Sequence, residues 1–519
     1  MASRASPTLS STGLVLSAQP VKALYTATDS LSLWAKQRKG TANRLWSMAA
    51  FAAAFTRPLR RSTSRLFSKK SVEQMTAELT QFVAAVASGP LDRVRRARLL
   101  GRIERILKES LGSDAEILGY GSCFTDTAET DADIDATIYV PMTLKRAQAA
   151  AKVTKSRSEM LREVALKCRQ LGMEVEENIS HGTVTIGEAV SVHVASNTFR
   201  SYSTCRCVLS CQRLLPLFSS HLIRAYVQLD PRLRSLILAL KYWARAAGVL
   251  KKQDGYIPSY VISLMAIYYV QVCDQLPSLH QLARRSHLVQ CEQRFDTAFL
   301  RREHVSWQSM AFLSAADLPS AATLLRGFFN FYAKEFDWNG EVLSVRLGER
   351  HKIDSERFRN LWGKRKSFHV EDPIELGRNL TTRVHPKALE QLRLCLQVKV
   401  DEAESLQELI CPDDSTLPKA DQWQARKEQM QHTRHFELAS LDGRHQTCLI
   451  CGQQFSDTWL LRQHQVDLAH FNTDNFEEVL LGRKSDELAR LRTWQRLSKE
   501  IGWTSDEIGS TSDEQRDSS

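Results

Sequence analysis

Apolar residues recur at helical spacing between Ser71 and Lys108 (Leu79, Phe82, Val83, Val86, then Leu99, Ile103, Ile106, Leu107), which predicts a pair of amphipathic helices. The pattern then changes to short apolar runs typical of strands: AEILGYGS, DADIDATIYV, SVHVAS and CRCVLSCQ, with a helix expected around 145–171 between them. From Leu214 to about Leu313 the period is helical again, and Arg346 to Val384 mixes short strands with turns. Residues 401–445 are polar and charged and read as helix plus linker. A compact Cys/His unit, a charged helix at about 474–500 and a Ser/Asp/Glu tail expected to be disordered close the chain. There is no internal repeat. No run of eighteen apolar residues occurs, so no membrane span or membrane partner is expected.

Charge changes this picture only at one end. The net charge is +11, and residues 1–70 hold twelve Lys and Arg against a single acid, Asp29, so the remainder is balanced. Basicity therefore gives no argument for nucleic-acid binding by the body of the chain. The first seventy residues, rich in Ser, Ala and Arg, have the composition of a mitochondrial transit peptide. The densest stretch begins at Met48 (MAAFAAAFTRPLRRSTSRLFSKK), which makes Met48 a candidate start alongside Met1. A basic, disordered, RNA-binding tail is the other reading. Eleven cysteines are too few for a disulfide scaffold, which fits a reducing compartment such as the mitochondrial matrix.

The densest chemistry lies in the strand-rich block. Gly119-Tyr120-Gly121-Ser122 follows an apolar strand start, and Asp133-Ile134-Asp135 lies eleven residues after Ser122 in another strand. Period-two geometry puts Asp133 and Asp135 on one face and Ile134 on the other. Paired carboxylates repel unless a divalent cation lies between them. A Gly-Ser turn can lend N–H groups and a hydroxyl to phosphate oxygens. Together these are parts for metal-assisted phosphoryl or nucleotidyl transfer. Two surface aspartates in a turn-rich region would look similar, but ADIDATIYV is apolar enough to be a buried strand. Further on, Lys241 and Arg245 stand four apart beside the apolar stripe of a helix at 231–250. Like charges at that spacing favour an anion between them. Ser259 is placed to cap the next helix, with Tyr260 offering an aromatic face.

The segment GYGSCFTDTAETDADIDATIYV resembles the signature of the DNA-polymerase-β-type nucleotidyltransferases. The later segments LDPRLRSLILALKYWARAAGVLKKQDGYIPSYVISLMAIYYVQ and FHVEDPIELGRNL resemble the central and PAP-associated domains of noncanonical poly(A) polymerases and terminal uridylyltransferases. The transit-like start is similar to that of kinetoplastid organellar members. The resemblance implies an α+β chain: 71–110 as N-terminal helices packing on the central domain, 111–210 as a polymerase-β-like palm, and 211–400 as a helical central and PAP-associated domain. A linker (401–445), a small ββα finger (446–472) and a charged helix with a disordered tail (473–519) follow. It further implies Asp133 and Asp135 as ligands of Mg²⁺ or Mn²⁺, Gly121, Ser122, Lys241, Arg245 and Ser259 as triphosphate contacts, and Tyr260 as the base stack. Asp372, Glu375 and Arg378 would form the base-reading loop. Arg378 can only donate, which suits a carbonyl and leans towards UTP over ATP without deciding between them.

Against the family pattern, the third carboxylate falls at Val208, and residues 189–229 contain no Asp or Glu at all. Glu188 is the nearest substitute in sequence. Gln212 and Ser219 stand where relatives often carry Asn. The implied activity, addition of UMP or AMP to RNA 3′ ends in the mitochondrial matrix, is thus expected either to be impaired or to have given way to a binding role in a mitochondrial ribonucleoprotein.

Cys448-x2-Cys451-x12-His464-x5-His470, with Phe455 and Leu461 as a miniature core, has the spacing of a C2H2 zinc finger. Zn²⁺ would supply the folding free energy that so small a core lacks. RNA contact through Trp459 and Arg462, or docking on protein, are the two uses expected of it.

Overall fold

The computed structural model describes residues 69–140, 155–178, 183–191, 202–250, 255–274, 276–285, 295–299, 318–362, 368–397, 403, 405–411, 446–448, 452–455 and 458–468. The basic segment 1–68, Cys451, His470 and the segment 473–519 lie outside them, as does the side chain of Glu188.

Helices α1 (Lys69–Val86) and α2 (Pro90–Leu111) lead into strand β1 (Glu116–Tyr120), a one-turn helix α3 (Ser122–Thr125) and strand β2 (Ile134–Tyr139). Helix α4 (Arg157–Gln170) and strands β3 (Glu174–Asn178), β4 (Thr183–Ser191) and β5 (Tyr202–Cys211) complete the first layer. The sheet order is β1-β2-β5-β4-β3, with β2 and β5 parallel and the remaining pairs antiparallel. Alternation along the two central strands decides what the sheet buries. Ile134, Ala136 and Ile138 on β2, with Cys207, Leu209 and Cys211 on β5, join a core closed by Leu100, Ile103 and Leu107 of α2 and Leu161 and Val164 of α4. The opposite strand face is left for Asp135, Arg206 and Val208.

One sequence expectation needs correcting here. Residues 71–110 were expected to pack together on the central domain, yet only α1 does so. Helix α2 packs on α4, β1 and β5 and belongs to the palm. Both helices are amphipathic, and periodicity shows that a face is buried without showing against what.

The central layer comprises α5 (Leu215–Leu229), α6 (Arg232–Ala246), α7 (Ser259–Cys273), α8 (Leu279–Arg285) and α9 (Ala321–Asn330), the last running into a π-helical turn at Phe331–Glu335. Helix α7 is apolar on every side and is buried among its neighbours. Tyr268, Phe328, Phe331, Tyr332, Phe336 and Trp338 form an aromatic core beneath a three-stranded sheet. That sheet is ordered β7-β6-β8, from β6 (Glu341–Leu343), β7 (His351–Lys352) and β8 (His369–Val370), with α10 (Glu356–Trp362) between the last two. Helices α11 (Pro386–Leu396) and α12 (Leu406–Ile410) follow. No described helix is long and apolar enough to cross a membrane.

At the C-terminal end, β9 (Gln446–Thr447) and β10 (Gln454–Phe455) pair antiparallel and lead into α13 (Thr458–Leu468). Helix α13 is seated on α2 and β1 of the palm and on α5 of the central layer. Trp459 stacks on Phe124 with ring centroids 4.5 Å apart. Arg462, 2% exposed, is bonded to Glu104 and lies 3.4 Å from Glu116. The Arg224 guanidinium donates to Asp467 at 2.9 Å. This overturns the expectation that Trp459 and Arg462 face RNA: both are spent inside the protein, and the surface that α13 covers is the chain's own palm.

Candidate active site

Gly121 ends β1 with φ +79°, a conformation that disfavours side chains. A Cβ at this position would meet Asp135 Oδ2 at 2.3 Å. Only glycine lets the bend press against that carboxylate, so the turn and the acid are brought together physically, not merely near in sequence. The Gly121 N–H, expected to serve phosphate, instead donates to Ser220 Oγ at 2.8 Å. Ser122 opens α3, at the bend. Behind it, the Tyr120 phenol is pushed up to about 12 by burial and then by the Asp135 charge, and stays protonated.

Asp135 is the second residue of β2 and Asp133 stands just before the strand, both part-buried. In the parallel register Asp135 stands directly opposite Val208, and Ile134 opposite Cys207. The position that the family resemblance assigns to a third carboxylate is thus the cross-strand neighbour of Asp135, and it carries an isopropyl group. One step back on the same face, Arg206 Nε lies 3.0 Å from Asp133 Oδ1, and its terminal nitrogen lies 3.4 Å from Oδ2. Arg206 was missed in the sequence because a single Arg on a strand carries no signal without the register.

The loop from Asp126 to Ala132 connects bend and acids and is clamped from two sides. Buried Arg96 donates to the carbonyls of Glu129 and Ala132 at 2.9 and 3.0 Å. Lys241 donates to Thr127 O and Oγ1 at 3.2 and 3.1 Å. Burial holds the Lys241 amine down, to about 8. Arg245 is paired with Glu129. The anion that the Lys241–Arg245 spacing called for is therefore met by a side chain of the same loop. Neither Arg96 nor Glu129 was legible: RVRRAR reads as a solvated run until packing shows which arginine is buried.

Tyr260 lies in the first turn of α7 with its hydroxyl buried, and its phenol is pushed well up by burial and then by the Asp372 charge. The Asp372 charge thus reaches Tyr260 from a distant sequence motif. Ser259 does not cap α7 as expected. The N-cap is Pro258, and Ser259 is the first helical residue, exposed. Asp372 accepts from the N–H groups of Ile374 and Glu375 at 3.0 and 3.1 Å, so it shapes the loop instead of facing outwards. The Arg378 guanidinium is held by Glu375 at 3.3 Å and Asp372 at 3.5 Å.

Asp133 and Asp135 would hold one Mg²⁺ or Mn²⁺ brought with a triphosphate, and such an ion would screen phosphate charge. Opposite Asp135 the neighbouring strand offers Val208, which is no ligand, and Asp133 already bonds a guanidinium. In the finger region, Cys448 is buried at the β9–β10 turn and His464 lies on α13 with Phe455 against its ring at 4.7 Å. Among the described residues no three potential ligands cluster as a metal site; two of the four finger residues, Cys451 and His470, fall outside them.

Residues 320–378 match the Cid1 family poly A polymerase. The likeness is to the Cid1/GLD2 type of poly(A) and poly(U) polymerase. Poly(A) RNA polymerase GLD2-B of Xenopus laevis is 31% identical over 183 residues, 34% of this chain and 33% of that protein. GLD2 of Mus musculus is 32% identical over 174 residues, 33% of each. The chain thus matches about a third of the length of these relatives. Solved structures of a cytoplasmic RNA terminal U-transferase and of the Cid1 RNA terminal uridylyl transferase share the fold, each at 19% identity over 67% of this chain with a TM-score of 0.51. The first aligns over 99% of its own chain and the second over 100%. The α+β architecture of palm plus helical and PAP-associated layers is therefore that of the Cid1/GLD2-type enzymes.

Proposed function

We propose that this chain is an RNA 3′-terminal nucleotidyltransferase of the poly(A)/poly(U) type, adding UMP or AMP from UTP or ATP, and acting in the mitochondrial matrix. The observation that carries the proposal is the Asp133/Asp135 face pressed against the Gly121 bend, in a chain whose residues 320–378 match the Cid1 family. The matrix assignment rests on the transit-like composition of 1–70. Zn²⁺ at Cys448, Cys451, His464 and His470 is proposed as a structural ion that holds α13 in the shape the palm receives.

Transfer is expected to be slow. A missing carboxylate at position 208 is expected to remove on the order of 3–5 kcal/mol of transition-state stabilisation, roughly a hundred- to several thousand-fold in rate. Val208 opposite Asp135 also supports a second reading, in which the chain is a nucleotidyltransferase-like subunit that binds RNA and protein in a mitochondrial ribonucleoprotein.

The test is incubation of the purified full chain with labelled RNA, Mg²⁺ or Mn²⁺, and each nucleoside triphosphate in turn. Tailing that Asp133→Ala abolishes establishes the enzyme. No tailing in the wild type, with Arg206→Gln/Val208→Asp restoring it, establishes the binding reading with a lapsed active site.

A further inference from the structure

We propose that Arg206 is a built-in cation that takes, on Asp133, the place of a divalent ion, so that the carboxylate pair accepts one metal ion at most and rejects a second. The inference rests on the nucleotidyltransferase reading for its meaning, though not for its geometry. Strands β2 and β5 are parallel and in register from Ile134 opposite Cys207 onwards, which sets Asp135 beside Val208, and Arg206, just before Cys207, reaches Asp133, just before Ile134. The site offers Asp133 just before β2 and Asp135 on it and, on β5, one permanent cation and one apolar side chain. The Arg206 fork approaches Asp133 through two nitrogens, at 3.0 and 3.4 Å, engaging both carboxylate oxygens. The guanidinium brings a fixed positive charge in a planar fork that matches a carboxylate.

Two changes on β5, two residues apart, therefore act in the same direction. Val208 withdraws a negative ligand, and Arg206 adds a positive charge beside a remaining one. In two-metal sites the ions sit about 3.5–4 Å apart and share carboxylate oxygens. An arginine already bonded to both oxygens of Asp133 competes for that role. Restoring the acid at 208 alone is then insufficient, because the new carboxylate would meet a site whose charge is partly cancelled. A plain surface ion pair, worth little and indifferent to metals, is the contrasting account.

Mn²⁺ binding to the full, zinc-loaded chain, followed by electron paramagnetic resonance and calorimetry without nucleotide or RNA, separates the two. Asp133→Ala/Asp135→Ala serves as the blank for Mn²⁺ bound elsewhere. The wild type is expected to bind one Mn²⁺ weakly at the pair, and Arg206→Gln to bind it at least about tenfold more tightly. Arg206→Lys, which keeps the charge and loses the fork, should stay within a few-fold of the wild type. Val208→Asp should still bind one ion, and Arg206→Gln/Val208→Asp two. Unchanged Mn²⁺ affinity in Arg206→Gln, or two ions in Val208→Asp alone, overturns the inference. The same variants assayed for RNA tailing test the transferase reading separately. Tighter Mn²⁺ in Arg206→Gln with no tailing by any variant leaves the built-in cation standing and removes the transferase. Tailing by the wild type with unchanged Mn²⁺ affinity does the reverse.

Discussion

Two arginine–carboxylate contacts in the palm use the same chemistry to opposite ends. Arg206 and Asp133 meet at the open face of β2 and β5, with side chains 44% and 23% exposed. Arg462 meets Glu104 and Glu116 under α13, with side chains 2%, 4% and 10% exposed. Water screens the first pair, which adds little to folding but sets the charge that a ligand meets. The second pair has lost its water. Its members were costly to bury, and each now depends on the other. Depth below the surface, not residue type, decides whether such a contact is part of the site or part of the framework.

The sharpest way to break this contrast is Arg462→Ala. It leaves Glu116 buried without its cation and Glu104 with the part-exposed Lys108 alone, and should cost about 3–5 kcal/mol in a denaturant titration. A loss below about 1 kcal/mol would mean that α13 is not integral to the palm. Trp459→Leu should follow at about 2 kcal/mol, because it removes a buried ring stacked on Phe124. Phe124 lies in the short helix behind the Gly121 bend, and a Cβ at Gly119 would collide with its ring at 2.1 Å. Trp459→Leu is therefore also expected to weaken triphosphate binding, measured by calorimetry, although position 459 faces away from solvent.

Much of this was readable from the sequence, and the reasons it stops are physical. The strand–bend–strand unit from Ile117 to Tyr139 declares itself through period-two alternation and a Gly-Ser turn between the strands. The helical stripe of α6 and the EDPIELGRNL loop are likewise local patterns. What no local pattern carries is the partner. Lys241 reads as a phosphate ligand until packing shows it bonded to Thr127. Arg462 reads as an RNA contact until α13 is seen lying on the palm, 346 residues away from Glu116 in sequence. Arg206 becomes meaningful only through the register of β5 on β2.

Lys241 gives a smaller effect with a defined sign. Its amine titrates at about 8 in the folded chain, against 10.5 when unfolded, with Glu129, Arg245, Cys123 and Asp135 as its charged or ionisable surroundings. Below pH 8 both states hold the proton, and the cost of burying the charge is paid in full. Between pH 8 and 10.5 the unfolded chain binds more protons, so this group makes folding more favourable as pH rises. Buried thiols oppose it from about pH 9, where an unfolded cysteine ionises and Cys123, held up to about 12, does not. The comparison is therefore best made between pH 8 and 9, as the stability of the wild type minus that of Lys241→Met. That difference should move by about 1 kcal/mol in favour of the wild type. A flat difference would mean that the amine is solvated.

Arg206→Ala should have the smallest effect on folding, within about 1 kcal/mol in either direction, because the pair is screened and removing the cation also relieves the side-chain entropy of holding it. This near-neutrality makes the comparison decisive when the two arginines are measured side by side. If Arg206→Ala destabilised the chain as much as Arg462→Ala, the pair with Asp133 would be a structural strut, and any change in metal affinity at the carboxylates would be a by-product of a disturbed sheet. If it leaves unfolding unchanged while Mn²⁺ affinity rises, the charge itself is the cause. The guanidinium on β5 then governs what the acidic face can hold, independently of how firmly the palm is folded.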